Sequence, residues 1–344
     1  MGTDSTDRGA TPVVGNVLLV AVVIVIGIVL VTLSFSFLEG TGAPSAEASF
    51  EYEQTPVGLE MTATAIGTDV TVQLNGRPVT TIEAGDAGES VLVPTAPGDR
   101  ITVVSQDREK SVLVAREIED RDEVGDFIAY YTFEAGSGDT LLDRSNNDND
   151  GNLSGDLDWQ ESSLAFDGDG DYIEVDQFNT PVETVSEFTI AVTYRTDDES
   201  EKQELVEHKS DDDNWLLELK PCDNDEVESA DSDLCDGDDQ YVPVFSVDQA
   251  GGTQDEQIFG DGEQANTRQT LVGTFNGSGH TLYVDGEQAS SGEYEGDISM
   301  GDLNIGKDIE PSNDDYLDGE IYEIRLYYTA FDDQQVRVLT EAME

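Results

Sequence analysis

Between Val13 and Leu38 the chain runs for 26 residues without a single charged side chain. As a helix this run, VVGNVLLVAVVIVIGIVLVTLSFSFL, would be about 39 Å long. That is enough to cross a hydrocarbon core of about 30 Å with some tilt. A buried helix of a globular protein keeps a polar face, whereas here apolar residues lie all round. The apolar core of a secretory signal peptide is much shorter, about 7–15 residues. The run therefore predicts a membrane-inserted helix over residues 10–38, which divides the chain into a short leader and a long remainder on one side of a membrane.

That remainder is strongly acidic. The chain has 344 residues, 76 of them Asp or Glu against 16 Lys or Arg, for a formal charge of −60. Nucleic-acid binding needs a basic face to displace counterions from phosphate, so DNA and RNA are excluded as partners. Attraction to anionic lipid headgroups is excluded on the same ground. High net charge with low hydropathy is also a signature of disorder, but 12 Phe, 12 Tyr and 2 Trp are spread through alternating apolar segments able to form a core. At molar salt the Debye length falls to about 3 Å and self-repulsion is largely screened. Only 5 of the 16 cations are Lys, and the whole pattern resembles proteins of salt-loving archaea.

The leader narrows this further. The stretch DRGATPVVGN places Arg8 and Gly9 directly before the apolar run, followed by Ala10, Thr11, Pro12, Val13, Val14 and Gly15. This segment resembles the class III signal peptide of archaeal type IV pilins. The resemblance implies a prepilin peptidase that cuts on the cytoplasmic side between Gly9 and Ala10. The leader would then be residues 1–9, and the helix would stay on the mature protein, where it can join other pilin subunits.

Residues 39–48, rich in Gly, Ala, Ser and Pro, read as a linker. From 49 to 118 the pattern changes to short alternating runs such as LEMTATAI, DVTVQLNG and RITVVSQ, the period-2 signal of strands. Asn75-Gly76 sits where a tight hairpin turn would place left-handed residues. A small β-sandwich of about six strands is expected, acting as a spacer between the membrane and the C-terminal domain. The acidic stretch 119–126 reads as an inter-domain linker.

From Phe127 to the C-terminus strand follows strand, with a helix-period segment only in DDQQVRVLTEAM. This predicts a mainly β, antiparallel sandwich or jelly roll over 127–344. Five phrases then carry a resemblance to the laminin-G-type, concanavalin A-like domains, in the family's order: IAYYTFEAGSGDTLLDRSNNDNDGNLSG, LAFDGDGDYIEV, FTIAVTYRTDD, LVGTFNGSGHTLYVDGEQASSG and LDGEIYEIRLYYTAFDDQQV.

Such sandwiches serve lectins, adhesion modules and glucan hydrolases alike. The hydrolases need two carboxylates about 5–10 Å apart across a sugar, carried on one strand as E-x-D-x-E or E-x-D-x-x-E, and neither motif occurs on an expected strand. Glu320 and Glu323 have an odd separation and are expected on opposite faces. His208 and His280 have no nucleophile in motif context and read as surface residues, so the chain is read as a non-enzyme. The resemblance implies a calcium ion at the opening loop, with a side chain from Asp143 and carbonyl oxygens from the Asn147–Gly151 stretch. The family's partner Asp is replaced by Tyr322, leaving Glu323 or Glu320 as the nearest substitute; halophilic solvation explains the same acids equally well. Asp167, Asp169 and Asp171 suggest an EF-hand, but Tyr172 stands where its turn needs Gly and Phe178 where it needs Glu, so a hairpin turn is expected.

Cys222 and Cys235, the only cysteines, lie in the expected outer domain, where oxidising conditions favour a disulfide. The sequons at Asn152 and Asn276 fall in expected surface loops, consistent with N-glycosylation outside the cell. Together these readings describe a single-pass protein of the cell membrane with extracellular C-terminal domains. It would be a pilin-like adhesion protein displaying a laminin-G-like domain to a glycan or surface-layer protein. The alternative is a membrane-anchored glycan-processing or nutrient-binding protein that never enters a filament. Sequencing the mature N-terminus is expected to give Ala10, and Gly9→Trp is expected to leave uncut precursor in the membrane; cleavage after the apolar run would overturn the pilin resemblance.

Overall fold

Alternating side chains put one face of each strand into a core, and this rule builds nearly all of the protein. The computed structural model describes residues 48–106, 110–118, 124–145, 147–176, 184–209, 213–231, 233–235, 240–249, 255–299, 301–309 and 315–343. The leader, the 10–38 helix, the processing pair Gly9 and Ala10, and nearly all of the 39–48 linker lie outside the described residues. Among the described residues no helix is long and apolar enough to cross a membrane.

The first seven strands are β1 (Ala48–Gln54), β2 (Leu59–Ile66), β3 (Val70–Leu74), β4 (Arg77–Ile82), β5 (Ser90–Val93), β6 (Arg100–Ser105) and β7 (Val112–Glu117). They form a three-stranded sheet, β1-β2-β5, and a four-stranded sheet, β4-β3-β6-β7. Asn75 and Gly76 close the β3–β4 hairpin with φ of 51° and 84°, the left-handed values that an Asn-Gly turn supplies. Pro78 lies on β4 at the sheet edge, where a missing N–H donor costs no ladder bond.

The sandwich begins with β8 (Phe127–Thr132), β9 (Thr140–Leu141), β10 (Gly151–Ser154), β11 (Asp158–Trp159), β12 (Leu164–Asp167), β13 (Tyr172–Val175), β14 (Thr184–Val185), β15 (Phe188–Thr196), β16 (Gln203–Lys209) and β17 (Asp213–Pro221). A short helix α1 (Asp225–Ala230) precedes β18 (Tyr241–Gln249), β19 (Asp255–Phe259), β20 (Gln269–Phe275), β21 (Gly279–Val284), β22 (Glu287–Glu293), β23 (Ile298–Ser299), β24 (Asp302–Ile305), β25 (Asp318–Tyr327) and the closing helix α2 (Asp333–Met343). One sheet runs β11-β12-β25-β15-β20-β21-β22, with β8 also paired to β25. The other runs β19-β18-β17-β16-β24-β13-β10-β9. Their inner faces share a core that includes Phe188, Tyr194, Trp215, Leu217, Phe245, Phe275, Ile305 and Ile324.

The small domain is not held at a distance. Its core residues, among them Val57, Met61, Val72 and Ile101, form one cluster with Tyr130, Ala191, Val272, Tyr283 and Tyr327 from the outer face of the first sandwich sheet, and with Val336 and Leu339 of α2. Tyr327 stacks between Phe127 and Phe331, ring centroids 4.5 and 4.6 Å away. Val124, Gly125 and Asp126 run through this seam. Asp126 N donates to Pro56 O at 2.8 Å and Gly125 N to Thr95 O at 3.1 Å. A Cβ at Gly125 would meet Tyr327 at 2.8 Å and Val57 O at 2.9 Å, so the seam requires glycine there.

The two histidines are buried, contrary to the surface positions expected of them. Both alternate inward: His208 packs flat on Trp215 at 5.3 Å, and His280 meets Phe245 edge-on at 5.6 Å. His208 Nε2 accepts from Gly301 N at 2.7 Å, and burial lowers its pKa to about 3. The unfolded imidazole titrates near pH 6.5. Between these values the unfolded chain binds the proton that the folded chain refuses. The stabilisation is therefore complete above about pH 6.5 and is lost as pH falls toward 3. In urea unfolding at constant molar salt, His208→Gln is expected to shrink the stability difference between pH 7 and pH 5 by about 2 kcal/mol.

Candidate functional site

Because the small domain and α2 cover the first sheet, the second sheet is the one whose outer face carries polar side chains outward. Strand register fixes a row across it: Ser246, Leu216, Glu207, Asn304, Glu174 and Asn152 on six successive strands. At the β10–β13 end, Glu174 and Asn152 are exposed. Half-buried Tyr172 and Tyr316 flank Lys307 there, whose ammonium lies 4.6 and 5.1 Å from their ring centroids. An aromatic pair beside hydroxyl-binding polar groups suits a ligand with both apolar and polar faces.

Toward the β16–β18 end this face is roofed and charged. Glu204 and Glu218 are direct partners across β16 and β17, and both are buried. Lys202 Nζ lies 3.0 Å from each and 3.2 Å from Asp315. Lys220 Nζ lies 2.9 Å from Glu218, forms a second ion pair with Glu226 and donates to Gln257 at 2.7 Å. Burial, with Glu218 opposite, pushes the Glu204 carboxyl well up, and Lys202 works against this. Burial also works against the Lys202 ammonium, yet Glu204 and Glu218 hold it above the usual lysine range. Glu204, Asp308 and Asp315 bring carboxylate oxygens within 4.8 Å of one another, a spacing that could hold a metal ion. Lys202 already supplies the cation between Glu204 and Asp315.

Cys222 and Cys235 form the expected disulfide, with Cα atoms 6.1 Å apart. The bridge closes a loop that packs Val227 of α1 against Val242 and Val244 on the sheet's outer face. Asn224 caps α1 by accepting from Glu226 N at 2.9 Å, and Glu226 ties the helix to Lys220. On the other side, Ile309 N donates to Glu207 Oε2, at one member of the row.

The opening loop is held by hydrogen bonds. Asp143 Oδ1 accepts from Tyr130 N at 3.0 Å and Ser145 N at 2.9 Å; Oδ2 accepts from Ser145 Oγ at 2.8 Å and Asn149 N at 3.0 Å. Asn147 turns its amide inward to Phe127 O and Ile128 O, and Asn149 O accepts from Tyr131 at 2.6 Å. Gly151 opens β10 against Ile173. Both oxygens of Asp143 are thus taken by the protein, and Glu323 pairs with Arg325 Nε at 2.6 Å instead of joining the loop. These residues as folded do not fit a calcium shell. Asp171 plays a similar organising part at the Asp167–Tyr172 turn, accepting from Asp156 N at 2.7 Å and Asp167 N at 3.2 Å. Asn152 and Asn276 are both exposed; Asn276 Oδ1 accepts from Ser278 N and Gly279 N, each at 3.0 Å.

One expected placement is reversed. Across β15 and β25, Thr193 pairs with Glu323 and Tyr194 with Ile321, so Tyr322 is an extra residue in a bulge. Ile321 and Ile324, three apart, both point into the core. The bulge resets the alternation and sends Glu320, Tyr322, Glu323 and Arg325 to the same outer face. Glu320 there accepts from Arg195, Tyr322 and Ser163 at 2.9, 2.7 and 3.1 Å. Against burial, these donors hold its carboxyl below the usual range.

The geometry of two stacked antiparallel sheets agrees with a family match: residues 167–337 fit the family described as the concanavalin A-like lectin/glucanases superfamily. Residues 167–337 match the laminin-G-type, concanavalin A-like family. Among solved structures, the binding domains of botulinum neurotoxin serotypes D and G resemble the chain with TM-scores of 0.47 and 0.48 and identities of 11% and 13%. The match covers 63% and 62% of this chain and 51% and 50% of theirs, so the chain matches about half the length of those structures. No curated protein matches the sequence.

The Lys202–Glu204–Glu218 group is hidden from sequence reading because Glu218 joins Lys202 and Glu204 only across strands. QELVEHK and NWLLELK each show Glu and Lys at alternate, apparently solvent-facing positions. Removing the central cation leaves two buried carboxylates face to face. Lys202→Met is expected to cost about 3 kcal/mol in chemical denaturation at neutral pH, and Glu204→Gln in the same chain is expected to recover most of it.

Proposed function

We propose that the protein is a membrane-tethered, pilin-like surface protein whose laminin-G-type domain binds an extracellular glycan or surface protein. The observation that carries this reading is the division of the sandwich into a covered and a free side. The small domain, next after the apolar run and linker in sequence, lies on the first sheet. The second sheet turns its outer face, with Tyr172, Lys307 and Tyr316, to the opposite side. A sandwich covered on one side, with a polar, aromatic-bearing face on the other, suits a displayed binding module.

The Val13–Leu38 run and the Gly9–Ala10 junction support single-pass insertion and processing by a prepilin peptidase. The disulfide supports an oxidising, extracellular setting, and the exposed sequons Asn152 and Asn276 agree with it. Catalysis is not part of the proposal, because Glu204 and Glu218 are bridged by lysines and Glu320 and Glu323 by arginines.

Binding of the full-length protein to surface-layer glycoprotein from its own cells tests the reading at constant molar salt. Tyr172→Ala with Tyr316→Ala is expected to weaken binding at least tenfold while leaving the melting temperature within a few degrees; aromatic stacking of about 1 kcal/mol per ring supports that size. Equal binding by variant and parent would refute the free face as the ligand site.

A further inference from the structure

On the opposite side of the sandwich, the seam between the two β-domains opens into a cavity of about 500 Å³. Its walls come from the β3–β4 hairpin, the β8 edge, the bulged part of β25 and the last turn of α2. Four of the chain's arginines line it: Arg77, Arg144, Arg268 and Arg325. Four acidic residues also line it, so this wall is balanced in a molecule of formal charge −60.

The lining groups divide by how they are engaged. Arg325 is committed to structure, paired with Glu323 and donating to Pro94 O at 3.2 Å. Arg268 lies 4.3 Å from the Tyr322 ring centroid and donates to Met343 O at 2.9 Å. Arg77 and Arg144 are exposed, and neither makes a salt bridge among the described residues. They come from different domains, Arg77 from β4 and Arg144 from the loop after β9. The Tyr322 bulge matters here, because without it Tyr322 and Glu323 could not both face the cavity.

We infer that this cleft binds an acidic saccharide, one carrying a uronate carboxylate among free hydroxyls. The guanidinium fork of Arg77 or Arg144 matches a carboxylate bidentately. The exposed carboxylates of Glu134 and Glu341 accept hydroxyl donors. Tyr322, half-buried in the lining, offers an aromatic ring to the C–H face of a sugar. The volume suits one or two sugar rings. The site is separate from the free face of the second sheet and does not depend on ligand binding there.

Titration calorimetry of the full-length protein with trigalacturonate, against neutral galactotriose, tests this at constant molar potassium chloride. Trigalacturonate is expected to bind and galactotriose to bind at least tenfold more weakly. Arg77→Ala and Arg144→Ala are each expected to weaken trigalacturonate binding about tenfold or more, with unchanged melting temperature because both side chains are exposed and unpaired. Tyr172→Ala with Tyr316→Ala is expected to leave it unchanged, which separates this site from the free face. Equal affinity for the neutral trimer, no binding of trigalacturonate, or full affinity in the Arg77→Ala, Arg144→Ala double variant would overturn the inference.

Discussion

The apolar outer face of the first sandwich sheet determines how the rest of the molecule is arranged. A sheet with one core face normally turns its other face to water. Here Tyr130, Ala191, Val272, Tyr283 and Tyr327 make that second face apolar as well. Burying a large side chain contributes about 1.5–3 kcal/mol, so leaving this face bare would be costly. The small domain and α2 cover it, with Tyr327 held between Phe127 and Phe331. The covered side, the free side and the cleft at the seam all stem from this one contact.

That two-sided burial is not written in the strands. FTIAVTYRT alternates Phe, Ile, Val and Tyr with Thr, Ala, Thr and Arg, the pattern of a half-exposed strand, yet in the fold β15 and β20 are buried almost throughout. The mark of a strand covered on both faces is an unbroken apolar run, and neither strand has one, so nothing local announces that a domain packs outside this sheet. What covers it could not be read, because the covering residues come from distant alternating segments with no shared motif. The order of laminin-G-type phrases made the sandwich legible for the same reason the docking was not. Hairpins and turns are local, whereas the seam is assembled from both ends of the described chain.

Site residues divide in the same way. Asp143 is legible because its loop is local, and its oxygens accept hydrogen bonds from Tyr130, Ser145 and Asn149. Cys222 and Cys235 are legible because two cysteines in one short loop leave a single partner each. Simple alternation puts Glu320 and Glu323 on opposite faces, and one extra residue at Tyr322 reverses that placement. No propensity marks a bulge in GEIYEIR; it shows only in the pairing of β25 with β15. The Lys202 and Lys220 ladder is likewise a property of register, since β16–β17 pairing brings Glu218, already beside Lys220, to Lys202, while Glu226 of α1 adds to Lys220.

Charge gives these short-range arrangements their weight. A molecule of formal charge −60 repels any anionic ligand at long range. At molar salt the screening length is about 3 Å, so that repulsion fades beyond contact distance while an ion pair at contact persists in part. Recognition then depends on groups that touch the ligand, and scattered surface charge loses its influence. Buried cations such as Lys202 serve the fold by neutralising the carboxylates beside them. Exposed cations gathered at one opening, as Arg77 and Arg144 are, have no such internal task. In a chain with nearly five acids for every cation, the position of the few arginines is therefore more informative about ligands than the position of the many carboxylates.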